Sequence, residues 1–285
     1  MVFKAAAVQM CSGVDPEKNA ESMARLVREA HRRGAIYVQT PEMTGAVQKD
    51  RAGLAAVLRD EETDLIVKKA SELAKELGIH LHVGSTAIKL ADGKIANRAF
   101  LFGPDGHKIT SYDKIHMFDV DLDNGESWRE SAVYRPGERA VVADLPFGKL
   151  GFGVCYDVRF PHLFRAEAMA GAEILTTPAA FTKQTGEAHW EILLRARAIE
   201  NGAYVISAAQ AGVHEDGRET FGHSMIVGPW GKVLASAGGA GEDVVVAEID
   251  LEAVKACRAK IPNLKNGRDF QLDIAPVLAK GGVTV

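Results

Sequence analysis

At 285 residues, 47% of them hydrophobic, the chain is long enough for one large core or two modest ones. Its 34 Lys and Arg against 38 Asp and Glu, a net of −4, leave no basic footprint for nucleic acid, and three widely spaced cysteines without a CxxC pair exclude a disulfide framework or a structural zinc site. No window approaches about 18 uninterrupted apolar residues, and "MVFKAAAVQM" at the start lacks a leader pattern, so a soluble, cytoplasmic protein without membrane or nucleic-acid partners is expected.

In chain order, "FKAAAVQM" (Phe3 to Met10) is an apolar run closed by Ser12-Gly13 and reads as a buried strand. Asp15-Pro16 supplies an N-cap and a first-turn proline, and Met23, Leu26, Val27 and Ala30 keep helical spacing as far as Gly34. "AIYVQT" is a second buried strand, and about Asp60 to Leu77 a second amphipathic helix stopped by Gly78. "IHLHVGSTAIKL" and "ANRAFLFGP" flank the turn pair Asp92-Gly93 and predict an antiparallel hairpin.

The second half repeats this pattern. "AVVADLPFGKLGFGVCY" predicts a hairpin about Phe147-Gly148-Lys149, followed by a helix from Pro161 to Gly171. "EILTTPA" is a strand, "AHWEILLRARAIENG" a helix and "AYVISAAQ" another strand. "HSMIVGPWGKVLASA" and "DVVVAEID" close with hairpin character, and "LEAVKACRAKI" is a last short helix. Strands in mixed order with helices between them predict an α/β fold, a four-layer αββα sandwich of two stacked mixed sheets in pseudo-twofold halves. With no linker or low-complexity tract in view, one domain is expected over residues 1–270, with a C-terminal tail over 271–285 that crosses to a neighbour or frays.

Cys155 lies where "LGFGV" ends and a helix is due near Pro161, a strand-to-helix elbow at which Gly151 and Gly153 permit close packing. Such an elbow exposes a nucleophile at the sheet edge, with the following backbone N–H groups aimed where an oxyanion forms. Cys11 and Cys257 lack that setting and read as buried small hydrophobes. A thiol with pKa about 8.5 needs a base or a cation, and none of the nine His sits in a local pattern that marks it as that base. Glu42, in "QTPEMTG", follows directly on a buried strand, at the carboxyl edge where open sheets place ligands; half-buried there, its pKa would rise and it could act as general base. Lys114, in "SYDKIHMFDVD", could lower the pKa of a nearby thiol and donate to a tetrahedral oxyanion. Each has an ordinary alternative: a loop glutamate in water, and a solvated lysine paired with Asp113.

Together, "PEM" around Glu42, "YDKIHMFDVD" around Lys114 and "GVCYDVRFP" around Cys155 resemble the three signature blocks of the nitrilase, or carbon-nitrogen hydrolase, superfamily, in the family's order and over nearly the whole chain. The resemblance implies the αββα sandwich and a Glu-Lys-Cys triad, with Glu42 as general base, Lys114 stabilising the tetrahedral intermediate and Cys155 attacking the C–N carbon to form a thioester. It also implies the backbone N–H of Tyr156 beside Lys114 in the oxyanion hole. A second family glutamate, which orients the lysine and the substrate, matches Glu130 in "WRESAVYRPGE", whose ordinary alternative is a surface pair with Arg129. No metal or organic cofactor is implied; association as a homodimer or higher homo-oligomer is.

Further blocks, "PAAFTKQTGEAHWEILLRARAIENGAYVISAAQAG" and "GHSMIVGPWGKVLASAG", resemble the Nit subgroup of ω-amidase-like enzymes, and "AAQAGVH" with "RETFGHSMIVGPWG" is closer to its deaminated-glutathione amidase type. Such enzymes hydrolyse the side-chain amide of a 2-oxo acid. The expected substrate is therefore a small-molecule amide such as deaminated glutathione, with α-ketoglutaramate, a nitrile or a carbamoyl compound as alternatives. A carboxylate beside the keto group needs a bidentate cation, for which Arg159 is the candidate, an ion pair with Asp157 being its ordinary alternative. Phe181 and Thr182, just beyond "EILTTPA", fall where a substrate-shaping loop belongs. The chain departs from the family pattern at Thr40 and Thr44, where an apolar and an aromatic residue are usual, which bears on the acyl-side pocket.

Other classes fit poorly. "GKLGFG" and "AGGAG" do not open a helix after a strand as a dinucleotide site does. His80 and His82 share a strand face and, with His116, His189, His214 or His223, could suggest a metal site, but no HExxH or clustered carboxylate accompanies them. A catalytically silent interaction module is the remaining alternative, against which the three filled triad positions argue.

Overall fold

The structure is a computed structural model that describes residues 2–122, 125 and 127–274. Its first half runs β1 (Val2–Gln9), α1 (Pro16–Arg32), β2 (Ala35–Gln39), α2 (Arg51–Val57), α3 (Leu65–Leu77), β3 (His80–Lys89), β4 (Ile95–Phe102) and β5 (Lys108–Asp113). Two short strands, β6 (Asp119–Asp121) and β7 (Ser127–Arg129), lead across to β8 (Val142–Leu145), β9 (Gly148–Phe152), α4 (Pro161–Met169), β10 (Ile174–Thr176), α5 (Lys183–Asn201) and β11 (Tyr204–Ser207). A small pair, β12 (Ala211–Val213) and β13 (Glu219–Phe221), precedes β14 (Met225–Val227), β15 (Val233–Ser236), β16 (Asp243–Asp250) and α6 (Leu251–Lys260).

Local chemistry sets these boundaries. The Asp15 carboxylate accepts the Glu17 N–H ahead of Pro16, so α1 starts where the sequence predicts. The second helix starts at Leu65 rather than Asp60, because Asp60 closes a turn on Thr63 while Asp64 caps Ile66 and Val67. Gly78, at φ 64°, ends α3 in the left-handed conformation that glycine adopts without penalty. Helix α5 begins at Lys183, ahead of the expected Ala188, and α2 and β5 are additions to the predicted set.

Two six-stranded sheets result, ordered β16-β1-β2-β3-β4-β5 and β8-β9-β10-β11-β14-β15. Read along those orders, both sheets pair antiparallel, parallel, parallel, antiparallel, antiparallel. The halves therefore share one topology, as the repeated pattern of elements suggests. One expectation is corrected: "DVVVAEID" forms no hairpin with the preceding strand, but crosses to the other sheet as β16 and pairs with β1 from Val2–Asp250 to Gln9–Asp243. All eight of its residues pair with β1, whereas β15 spans four, and Val244 and Val245 are buried.

Strand alternation gives each sheet two covered faces. On β1, Ala6 and Val8 face the layer built with α1 and α3, through Met23, Leu26, Val27, Ile66 and Leu73. Ala5 and Ala7 face the other way, into a core shared with the second sheet, which also holds Tyr37, Leu101, Leu150, Phe152 and Ile206. Phe3 against Phe147, at 4.4 Å between ring centroids, and His82 against Phe152, at 4.9 Å, join the two sheets across this core. The arrangement is the expected αββα sandwich. The tail expected over 271–285 lies outside the described residues from 275 onward. Among the described residues no helix is long and apolar enough to cross a membrane.

His82 is a polar group in that inter-sheet core. The Tyr37 hydroxyl lies 2.8 Å from its Nδ1 and Gln39 Nε2 lies 3.3 Å away, while its Nε2 has no partner among the described residues. Burial pushes its pKa from 6.5 down to about 3. As pH falls through 6.5 the unfolded chain therefore binds a proton that native His82 refuses until about pH 3, and stability drops by up to about 1.4 kcal/mol per pH unit from this group. Replacing His82→Gln is expected to flatten the loss of urea-unfolding free energy between about pH 6.5 and 4.5; parallel curves for the two proteins would remove His82 as the source.

Candidate active site

Three strand ends and one short turn meet at the rim where the sheets stack. The chain leaves β2 through Thr40-Pro41 into Glu42, leaves β5 directly into Lys114, and leaves β9 into the 3₁₀ turn Cys155–Arg159. The β6–β7 ribbon ends in a single 3₁₀ turn, Glu130–Ala132. Glu42 and Lys114 thus come from one sheet and Cys155 from the other.

Lys114 is the centre of the cluster, with only 2% of its side chain exposed. Its Nζ lies 2.9 Å from Glu42 Oε1 and 2.9 and 2.8 Å from the two oxygens of Glu130. Asn97, on β4, donates its amide to the same Glu42 oxygen at 2.9 Å and to Glu130 Oε1 at 3.2 Å. The Ala180 N–H donates to Glu42 Oε2 at 2.8 Å, and the Phe118 N–H to Glu130 Oε2 at 2.7 Å. Each carboxylate is therefore fixed by the ammonium, a shared amide and a backbone donor. Asp113 pairs with Arg98 and Arg129 with Asp121, which disposes of the ordinary partners considered for Lys114 and Glu130.

Cys155 sits at φ 49°, a left-handed backbone costly for a residue with a Cβ, and Met43, beside Glu42, is at φ 54°. The elbow is held by the Cys155 N–H on the Pro178 carbonyl at 2.9 Å and by the fully buried Asp157. Asp157 accepts from Val154 N, Tyr112 Oη and His116 N, so the elbow and the segment carrying Lys114 are tied to one carboxylate. A side chain at Gly153 would strike the Phe164 ring, which is why glycine stands there. Tyr156 is the second residue of the 3₁₀ turn, where an N–H has no intrahelical acceptor.

Several expectations are corrected. Cys155 is not exposed at the sheet edge: it is 93% buried, with 7% accessible, on a cavity wall formed by elements of both sheets. Burial pushes its thiol well up, the Glu42 charge adds to that, and Lys114 only partly offsets them. Glu42 is buried rather than half-buried, and its pKa is lowered rather than raised. Burial is the largest single influence and would lift it, but the Lys114 charge together with hydrogen bonding from Lys114, Cys155 and Ala180 outweighs burial. For Lys114, burial acts downward and the carboxylates of Glu130 and Glu42 carry it well above its ordinary value. The resting cluster is thus an ammonium, a Glu42 carboxylate and a neutral thiol. Cys11 is exposed rather than buried; Cys257 is buried as expected.

The cavity, of about 540 Å³, is lined by Glu42, Lys114, Glu130, Cys155, Tyr156, Phe181 and Thr182 among others. Arg159 is not on its wall among the described residues. Its guanidinium lies 5.9 Å from the Tyr156 ring and 5.3 Å from the Phe181 ring, and 3.3 Å from His189 Nδ1, and Asp157 is not its partner. Thr40 and Thr44 face inward, hydroxyl to hydroxyl at 2.8 Å, and do not line the cavity. Among the described residues no group of three or more His, Cys, Asp or Glu could hold a metal ion. The roles of Asn97, Asp157, Trp128 and Arg218 escaped the sequence reading; only Asn97, a polar residue beside Arg98 in the otherwise apolar "ANRAFLF", carried a local signal.

The family model described as carbon-nitrogen hydrolase matches residues 4–259. The chain belongs to the carbon-nitrogen hydrolase family. It is 40% identical to a deaminated glutathione amidase from Yersinia enterocolitica over 96% of both chains, and 36% identical to the omega-amidase NIT2-B of Xenopus laevis over 94% of this chain and 95% of that one. Among solved structures, the C. elegans NitFhit protein superposes with a TM-score of 0.86 at 35% identity, covering 94% of this chain and 65% of that longer one. The hydrolase is an enzyme of the amidase kind, and the Nesterenkonia amidase, 27% identical with a TM-score of 0.76, carries an active-site cysteine.

Removing the cation tests the electrostatics. In Lys114→Met, Glu42 and Glu130 face each other without it, and a loss of about 3–5 kcal/mol is expected. In the parent, Glu42 is held low, so its contribution is present above its unfolded pKa and fades as pH falls. In the variant the Glu42 pKa rises instead, so stability is lost as pH climbs. Chemical denaturation should thus show a larger gap between the proteins at pH 8 than at pH 5; equal gaps would sink the ion-pair account.

Proposed function

We propose that the hydrolase cleaves the side-chain amide of a 2-oxo acid through a thioester on Cys155, with deaminated glutathione as its substrate. What carries this reading is the buried Lys114 clamped between Glu42 and Glu130 on the same cavity as the Cys155 thiol. Because the thiol rests neutral, a base must take its proton as sulfur attacks the carbonyl carbon, and Glu42 is the carboxylate beside it. The oxyanion that forms is held by the Lys114 ammonium and the Tyr156 N–H. Glu42, now protonated, passes its proton to the departing amine, leaving the acyl group on sulfur. Water gives a proton to Glu42 and attacks the thioester carbon; the C–S bond breaks, the Cys155 sulfur takes that proton back from Glu42, and the acid is released. Glu130 keeps Lys114 in place and protonated throughout.

On the acyl side we assign the carboxylate beside the keto group to Arg159, which stands off the cavity wall with its guanidinium 5.9 and 5.3 Å from the lining rings of Tyr156 and Phe181, while Phe181 and Thr182 shape the wall itself. The similarity to deaminated glutathione amidases supports this substrate. So does the volume of about 540 Å³, within the range that encloses ligands well beyond a five-carbon amide. We further propose that residues 1–270 form the single catalytic domain and that the enzyme works as a homodimer or larger homo-oligomer.

The experiment is to follow hydrolysis of deaminated glutathione, α-ketoglutaramate and glutamine in parallel, detecting 2-oxoglutarate or glutamate. The expected order has deaminated glutathione first; turnover of none of the 2-oxo amides would overturn the substrate reading. Cys155→Ser should fold yet lose at least about 10³-fold in kcat, since an unactivated hydroxyl replaces sulfur; near-normal turnover would end the nucleophile assignment. Arg159→Lys should raise KM for 2-oxo amides more than for simple amides, as a planar two-pronged donor is lost. Equal effects on both classes would remove Arg159 from the binding set.

A further inference from the structure

The cavity is not electrically uniform. Its inner end carries the Lys114 cluster, in which Glu42 and Glu130 are already engaged. Among the described residues its outer wall carries four cations, Lys49, Arg51, Arg129 and Arg218, and one further carboxylate, Asp50, which is occupied in capping α2. Arg129 is neutralised by Asp121, and Lys49 and Arg51 stand in solvent. Arg218 differs from all three. It is half-buried, and its guanidinium carbon lies 4.4 Å from the centroid of the Trp128 ring. Among the described residues its buried Nε has no hydrogen-bond partner and its guanidinium forms no ion pair.

The backbone that carries this guanidinium is also fixed in place. Arg218 closes the β12–β13 turn, its carbonyl accepting the His214 N–H at 2.8 Å and its own N–H donating to Asp216 Oδ1 at 2.9 Å. Asp216 in turn accepts the Lys49 N–H, which locks this turn to the loop that carries Glu42. A planar cation stacked on indole keeps its N–H edge free for a carboxylate, and little side-chain entropy remains to be lost when one binds.

We propose that Arg218, stacked on Trp128 at the outer wall, reads a carboxylate on the amine side of the scissile amide. This rests on the amidase reading above. There the single carboxylate of the 2-oxo acyl group is assigned to Arg159, so the Arg218 charge and the outer volume serve the leaving amine. The ligand class is an amide whose amine is an amino acid or short peptide with a free terminal carboxylate; cysteinylglycine, released from deaminated glutathione, is one. α-Ketoglutaramate releases ammonia and has nothing to offer Arg218. The residue thus sets selectivity between two substrates that share an acyl group.

The test compares the parent with Arg218→Gln and Arg218→Lys on three substrates: deaminated glutathione, its C-terminal carboxamide, and α-ketoglutaramate. A charge-assisted pair of this kind corresponds to about tenfold to a hundredfold in kcat/KM. The parent should prefer the carboxylate over the carboxamide by that factor. Arg218→Gln should erase the preference, chiefly through KM, and lower the ratio of deaminated glutathione to α-ketoglutaramate turnover by the same factor, with Arg218→Lys between. Equal losses on deaminated glutathione and α-ketoglutaramate, or a parent indifferent to the carboxamide, would overturn the proposal. A second arm needs no turnover: calorimetric binding of cysteinylglycine and its carboxamide to Cys155→Ser, with and without Arg218→Gln. Absence of hydrolysis in the first arm would end the substrate reading alone; the subsite then stands if the dipeptide binds in an Arg218-dependent way and falls if it does not.

Discussion

A lysine with 2% of its side chain exposed governs this molecule. Withdrawing an ammonium from water costs several kcal/mol, and only close, hydrogen-bonded opposite charge offsets that cost. Lys114 has two carboxylates, from the loop after β2 and the turn after β7, and Asn97 bridges them from β4. These groups converge only if the first sheet is paired in register and the β6–β7 ribbon folds back over its edge. Two carboxylates and one ammonium leave the cluster with one excess negative charge. A thiolate at Cys155 would add another, so the sulfur keeps its proton until substrate arrives. The same cluster that costs stability therefore sets the protonation state from which the proposed chemistry starts.

The second constraint is the elbow. Sulfur must face the cluster from the opposite sheet, and an extended strand alone would not aim it there. The left-handed turn at Cys155 redirects the chain, and such strain persists only where the surroundings over-determine it. Here they do so through the Pro178 carbonyl, through Asp157, and through glycines that let Phe164 and Glu167 close in behind the strand. Asp157 also anchors Tyr112 and His116 on either side of Lys114. Nucleophile and cation are thereby positioned by one buried carboxylate, and their separation does not depend on flexible side chains.

From these constraints the cavity acquires a direction. The inner end is buried and charged, with both carboxylates and the ammonium hydrogen-bonded. The outer wall is built from hairpin turns and the short helix α2, where cations stand on aromatic rings or in water. Chemistry at the rigid end and selection at the looped end is the division of labour a sandwich of two sheets permits, because strand ends are fixed by pairing and connecting turns are not.

Much of this was legible in the sequence. Apolar runs, the Asp15-Pro16 and Gly78 helix signals and the repeated order of elements determine the αββα class, since periodicity and capping are local properties. Glu42, Lys114 and Cys155 stand out through their motif blocks, and Glu130 through the same resemblance. The pairing of β16 with β1 was not legible, because any apolar strand of that length suits either sheet edge. Nor were the partners of Lys114 or the direction of the Glu42 shift, which depend on distances between residues far apart in the chain. Arg159 and Arg218 show the limit most clearly: the sequence marks the first by its place after the nucleophile, whereas only tertiary packing puts the second on the cavity wall, over a tryptophan some ninety residues earlier in the chain. The sequence determined which residue types and elements exist. The tertiary structure decided which charges face one another, because electrostatic environment is set by distance and burial, and neither is a local property of the chain.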